Sequence, residues 1–93
     1  MKVHELKTWP EYMPRIASGI KTFEMRKNDR DFQQGDLLIL RCWSPELKKF
    51  LLGTIVARVT YVLKDEPRFG LMQGYCVMGI KVLDADCYNI PTE

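Results

Sequence analysis

Gly19-Ile20-Lys21-Thr22-Phe23-Glu24-Met25-Arg26-Lys27-Asn28-Asp29-Arg30 is the stretch on which the reading of this chain turns. A glycine stops a helical pattern, and a strand pattern begins two residues later. Along a strand from Lys21 to Arg26, alternation sets Phe23 and Met25 on one face and Thr22, Glu24 and Arg26 on the other. The apolar pair is expected to enter a core and the polar trio to face a groove. A carboxylate between cations on one face is either a satisfied ion-pair ladder or a ligand site, and both readings stand at this point.

Upstream, Lys2-Val3-His4-Glu5-Leu6 reads as a short first strand. Thr8-Trp9-Pro10-Glu11 has the form of a capping box, and Trp9, Tyr12, Met13, Ile16 and Ala17 follow with helical periodicity. Pro14 interrupts that pattern, which predicts a kink or a regular helix that starts only near Met13. Downstream, Asn28 to Asp31 and Gln34-Gly35-Asp36 are turns by composition. Phe32 between them is placed to plug the core.

Leu37 to Trp43 is so continuously apolar that it reads as the most buried strand. Ser44 to Phe50 is a polar hairpin loop whose Lys48-Lys49 pair is read as solvated. Leu51 to Leu63 is a long strand, with Ile55, Ala57, Val59, Tyr61 and Leu63 on one face and Gly53 marking a bulge that lets it bend. Lys64 to Gly70 is a loop, and Tyr75 to Leu83 the last strand, with Met78, Ile80 and Val82 on one face. The tail 84–93 is expected to fray, with Cys87, Tyr88 and Ile90 available to anchor part of it. The sum is an α+β, mainly β domain: a small, partly closed barrel of about five strands with one N-terminal helix over an opening.

Ninety-three residues, 46% hydrophobic and 28% charged, suit a single soluble domain spanning the chain. The net charge of +2 is too small for a general nucleic-acid binder, so any such binding needs a local patch. Three cysteines without knuckle spacing read as free thiols in a reducing compartment, and one histidine leaves too few ligands for zinc. No metal and no cofactor are expected. No apolar run is long enough to span a bilayer and no signal-peptide pattern opens the chain, which makes the cytoplasm the expected location.

The patch exists in sequence: Lys7, Lys21, Arg26, Lys27 and Arg30, interleaved with polar Glu24 and Asn28. Lys21 can contact a phosphate or base carbonyl, or pair with Glu24 or Glu5. Glu24 can accept from an exocyclic amine, or serve Arg26 and Lys21 as a structural partner. Arg26 and Arg30 can each fork onto phosphate, though Arg30 is placed to pair with Asp29 or Asp31. His4 is a possible general base, more commonly a hydrogen-bonded strand residue. Trp9 can stack a base, but its position on the apolar helical face favours core packing. Tyr75 is a candidate stacking platform.

Gly19-x-Lys21-x-x-Glu24-x-Arg26 resembles the G-x-K-x-x-E-x-R signature of ASCH domains, in the PUA-like β-barrel superfamily. The wider run, from His4-Glu5-Leu6-Lys7 and Trp9-Pro10 through Lys21 to Phe32 and on to Gly35-Asp36, is similar to small ASCH-like proteins of bacteria and phages, a family without a settled function. The resemblance implies a PUA-like barrel whose cleft, beside the helix and the signature strand, binds RNA or a nucleotide, with Thr22 joining the residues above. Some relatives are amidohydrolases that deacetylate N4-acetylcytidine. Their catalytic Lys and the residue after it match Lys21 and Thr22. Their catalytic Thr is replaced by Glu24, and the helical insert with their distant Glu is missing, so the activity does not carry over. Binding is therefore the expected function. The alternative is a small hydrolase acting on a modified nucleoside, with Lys21 and Glu24 as its working pair. A protein-interaction role has no positive sign in the sequence.

Overall fold

The computed structural model describes residues 1–86. Its elements in chain order are β1 (Val3–Thr8), α1 (Met13–Ala17), β2 (Phe23–Lys27), β3 (Leu37–Ser44), β4 (Lys49–Lys64), a single 3₁₀ turn at Pro67–Phe69, and β5 (Tyr75–Asp86). The strands form one curled, half-barrel sheet in the order β1-β3-β4-β5-β2. β1 runs parallel to β3, and the remaining pairs are antiparallel. Residues 84–86 belong to β5, whereas Cys87, Tyr88 and Ile90 lie outside the described residues.

The sheet curls because its long strands are broken in register. β4 shifts against β3 between Arg41 and Trp43, beside Gly53, whose φ of 122° is open to glycine and closed to most side chains. It shifts twice more against β5. The inward faces, Leu38, Leu40 and Cys42 of β3, Ile55, Ala57 and Val59 of β4, and Cys76, Met78 and Ile80 of β5, make the core. β3 alternates between buried and half-buried residues rather than being buried throughout. Tyr61, in phase with the inward row by sequence, is exposed, because the shift between Val59 and Tyr61 turns it to the outer face. Cys42 and Cys76 are free thiols, and burial pushes the Cys76 thiol up.

The helix is shorter than the apolar periodicity implies. Pro14 sits at its start, where a missing amide costs nothing, and Met13, Ile16 and Ala17 fill the core. The capping box does not form: β1 continues through Thr8, and the residue before the helix is Tyr12, which makes no side-chain cap. Among the described residues no helix is long and apolar enough to cross a membrane.

β2 is inverted relative to expectation. Phe23 and Met25 are exposed, and Glu24 is buried at 4% exposure. Pairing with β5 sets Glu24 opposite Met78 and Arg26 opposite Cys76 on the inner side, while Phe23 and Met25 lie in outer rows with Gly79 and Val77. Alternation fixes which residues share a face; strand pairing decides which face is inside.

A polar knot anchors the first strand. Asp36, at 2% exposure, accepts the Lys2 amide at 3.0 Å, the Gln33 amide at 3.0 Å and His4 Nε2 at 2.8 Å. His4 packs edge-on against Phe32, which plugs the core as expected. Burial raises the Asp36 carboxyl, but the Lys2 amide, the His4 ring and the Gln33 amide outweigh it and hold the group below its ordinary value of 3.8. A depressed carboxylate contributes stability that is full above its unfolded value and is lost as pH falls through its lower folded value. Urea denaturation should therefore show the wild type losing more stability than Asp36→Asn between pH 5 and pH 2, as pH falls below the unfolded carboxyl's ordinary value and through the lower folded one. At pH 7 Asp36→Ala should cost about 3 kcal/mol, because the buried His4 ring and two half-buried amides lose their acceptor.

Candidate functional site

β1 and β2 are the two edges of the sheet, and the curl brings them side by side. The odd residues of β1 turn their backbone groups away from β3, leaving carbonyls without a ladder partner. Two arginines serve them. Arg26 Nη2 donates to the Lys7 carbonyl at 2.7 Å and the Thr8 hydroxyl at 3.2 Å, and Arg30 Nη1 donates to the Glu5 carbonyl at 2.8 Å. Arg30 is thus a seam residue, not the partner of Asp29 or Asp31 expected from the turn. A guanidinium, with several donors in a fixed plane, suits this bridging.

Arg26 also donates through Nε to Glu24 Oε2 at 2.9 Å, and Lys21 Nζ donates to Glu24 Oε1 at 2.8 Å and to the Phe23 carbonyl at 2.7 Å. Lys21 is placed by the turn after α1: Gly19, at φ 82°, reverses the chain, and the Lys21 amide bonds the Arg15 carbonyl at 2.9 Å. The Glu24 carboxylate is 5% exposed, while Lys21 and Arg26 side chains are 16% and 24% exposed. The carboxylate forms a floor and the cations stand at the rim.

Above this triad opens a cleft of about 520 Å³. Trp9 and Tyr12 line one side, their rings stacked at 6.4 Å and 15°, and Phe23 and Met25 line another. Lys7 and Thr8 border it on the β1 side. Trp9 is exposed here rather than packed in the core, since the chain around Pro10 is a turn and the helical face begins only at Met13. Lys21 Nζ lies 4.8 Å from the Phe23 ring and 5.3 Å from that of Tyr12. A second hollow of about 530 Å³ continues along the seam past Lys7, Arg26 and Arg30 to Phe50.

Of the residues singled out from sequence, Lys7, Trp9, Lys21, Glu24 and Arg26 converge on the cleft and Arg30 lies in the adjoining hollow. The others lie elsewhere. His4 is sealed into the Asp36 knot. Asn28 closes its own turn, its Oδ1 accepting the Phe32 amide at 3.2 Å. Lys27 and Tyr75 face each other across β2 and β5 on the outer side, and exposed Thr22 bonds the Ile80 amide through its carbonyl. Phe23 and Met25 were assigned to the core by sequence and line the cleft instead, while Tyr12 packs against the core from the helical face and also lines the cleft. Pro14, which bars a regular helix before Met13, was the signal for Tyr12. Among the described residues no three His, Cys, Asp or Glu side chains cluster as a metal site.

The arrangement defines a small mainly-β domain with an aromatic, net cationic cleft at the seam of an open barrel. The matching family, DUF3850, is described as a domain of unknown function; its match covers residues 3–80, and the chain belongs to it. The chain is also 43% identical over 61 residues to the uncharacterized 12.9 kDa protein in the GpA 3′ region of Escherichia phage P2. That alignment takes in 66% of this chain and 54% of the relative, so the chain spans about half the relative's length.

The triad predicts an asymmetric mutational pattern. Glu24→Ala strands two cations over a buried floor and should cost about 2 kcal/mol in chemical denaturation, below the cost for a fully buried pair because both partners reach water. Lys21→Ala leaves Glu24 with Arg26 and should cost less than about 1 kcal/mol.

Proposed function

We propose that the seam cleft binds a nucleotide, free or within RNA, in the manner of an ASCH or PUA-like module. The observation that carries this reading is a buried carboxylate at the foot of an aromatic-walled cleft, held by two cations that keep donors in reserve. Lys21 has three N–H groups and directs two to the protein. Each Glu24 oxygen accepts one bond from its cation and keeps a lone pair. A base lying between Trp9 and Phe23 would meet an acceptor for an exocyclic amine and donors for a ring carbonyl. Lys7, Lys21 and Arg26 outnumber Glu24, which favours an anionic ligand. All the signature residues with long side chains, Lys21, Glu24 and Arg26, meet in this one wall, which supports the ASCH likeness.

The Lys21–Glu24 contact of 2.8 Å also suits the hydrolytic alternative, in which the pair exchanges a proton with an acylated nucleoside. Turnover on a panel of such nucleosides, abolished by Lys21→Ala, would establish that alternative.

A thermal-shift screen against nucleosides, nucleotides and short RNAs tests the binding reading, with wild type and Lys21→Ala in parallel. A ligand at a hundred times its dissociation constant should stabilise the wild type by about 2.7 kcal/mol and the variant by much less. No stabilisation by any nucleic-acid component, or equal stabilisation of both proteins, would overturn it.

A further inference from the structure

The outer face of the sheet beyond the seam carries a second group of rings and cations. β1 and β3 align Lys7 with Arg41, and β3 and β4 align Trp43 with Phe50 at the base of their hairpin. Trp43 and Phe50 meet edge to face, with centroids 4.9 Å apart. Lys7 Nζ stands 3.9 Å from the Trp43 ring centroid, and the Arg41 guanidinium carbon 3.9 Å from that of Phe50. Arg41 is paired with Glu5 at 2.8 Å. The hairpin adds exposed Lys48 in its turn and exposed Lys49 at the start of β4, against Glu46. Lys7, Arg41, Lys48 and Lys49 therefore outnumber Glu5 and Glu46.

This group is continuous with the cleft. Lys7 lines the cleft while its ammonium lies over Trp43. The second hollow starts at Lys7 and Arg26, which it shares with the cleft, and ends at Phe50. The order along the surface is cleft aromatics, seam cations, then hairpin aromatics with further cations. A free nucleotide would be satisfied by the first two of these alone. Alternating rings and cations along one path match a single-stranded nucleic acid, whose bases stack and whose phosphates need charge at each step.

We infer that the ligand is a single-stranded RNA segment of several nucleotides, which runs from the cleft along the seam to a second stacking platform at Trp43 and Phe50. The inference rests on the nucleotide reading of the cleft and adds the hairpin platform and the length of the ligand.

The test compares a nucleoside monophosphate with an unstructured oligoribonucleotide of about eight residues, within the usual span of such sites. The proteins are wild type, Trp43→Ala, and the double variant Lys48→Glu with Lys49→Glu, whose exposed positions in the turn and at the first residue of β4 leave the fold intact if Trp43→Ala does not. Both variants should bind the oligonucleotide about tenfold or more weakly and keep wild-type affinity for the monophosphate. The double variant should also show a shallower dependence of oligonucleotide affinity on salt. Unchanged oligonucleotide binding in the double variant would overturn the inference while leaving the cleft reading intact. An oligonucleotide no tighter than the monophosphate would overturn it too. Loss of monophosphate binding in wild type, with oligonucleotide binding still sensitive to the hairpin, would overturn the cleft reading and uphold the platform.

Discussion

Two arginine side chains hold together the free edges of an open sheet. A half barrel of five strands leaves two edge strands, and the carbonyls of an edge strand need donors from somewhere. Here β2 does not pair with β1 through its backbone; Arg26 and Arg30 reach across to the Lys7 and Glu5 carbonyls. That solution propagates. Arg26 on the inner side of β2 calls for a carboxylate beside it, which is Glu24. Glu24 in turn is neutralised at its other oxygen by Lys21, which the Gly19 turn delivers. Once the inner side of β2 is given to these charges, Phe23 and Met25 must face outward. They become a wall of the cleft rather than part of the core.

Much of the architecture was legible in the sequence. Period-two patterns and one continuous apolar run placed the strands, Gly53 marked a bend in the longest one, and of the two outcomes Pro14 allowed, a kink or a helix starting near Met13, the second is found. Phe32, isolated between two turns, plugs the core as its apolarity suggests. What was not legible depends on contacts between distant residues. The His4–Asp36 bond spans 32 positions and exists only because β1 lies parallel to β3. The facing of β2 could not be read locally: its alternation is unambiguous, yet hydrophobicity pointed the wrong side inward, since the carbonyls that recruit Arg26 belong to another strand. The Thr8–Glu11 pattern failed as a cap for a related reason, because pairing with β3 keeps Thr8 in a strand. Of the candidate site, the cationic and acidic members were visible from spacing. Of the aromatic members, Trp9 was weighed as a stacking residue but assigned to the helical face, Tyr12 was visible only through its expected core contact, and Phe23 was read as a core residue.

The same groups therefore serve the fold and the proposed ligand. Such sharing is workable because the two demands use different atoms. Arg26 satisfies β1 through Nη2 and Glu24 through Nε, and Lys21 directs two of its three donors inward. Partial exposure keeps the ion pairs individually weak, so an anion can compete for the cations at the rim without dismantling the floor. The family to which the chain belongs matches from β1 into β5 and so contains every part of the seam and cleft. The constraint that closes the sheet and the cleft that results are in this sense one feature of the domain.

The central claim is that the seam cleft is a nucleotide site, and backbone-amide NMR during titration with a nucleoside monophosphate tests it most directly. The account predicts saturable shifts concentrated at Lys7, Trp9, Tyr12, Lys21, Glu24 and Arg26, with the amides around Asp36 unmoved. Saturable shifts centred instead on the outer rows around Tyr61 and Val77, or no shifts at millimolar ligand, would contradict it.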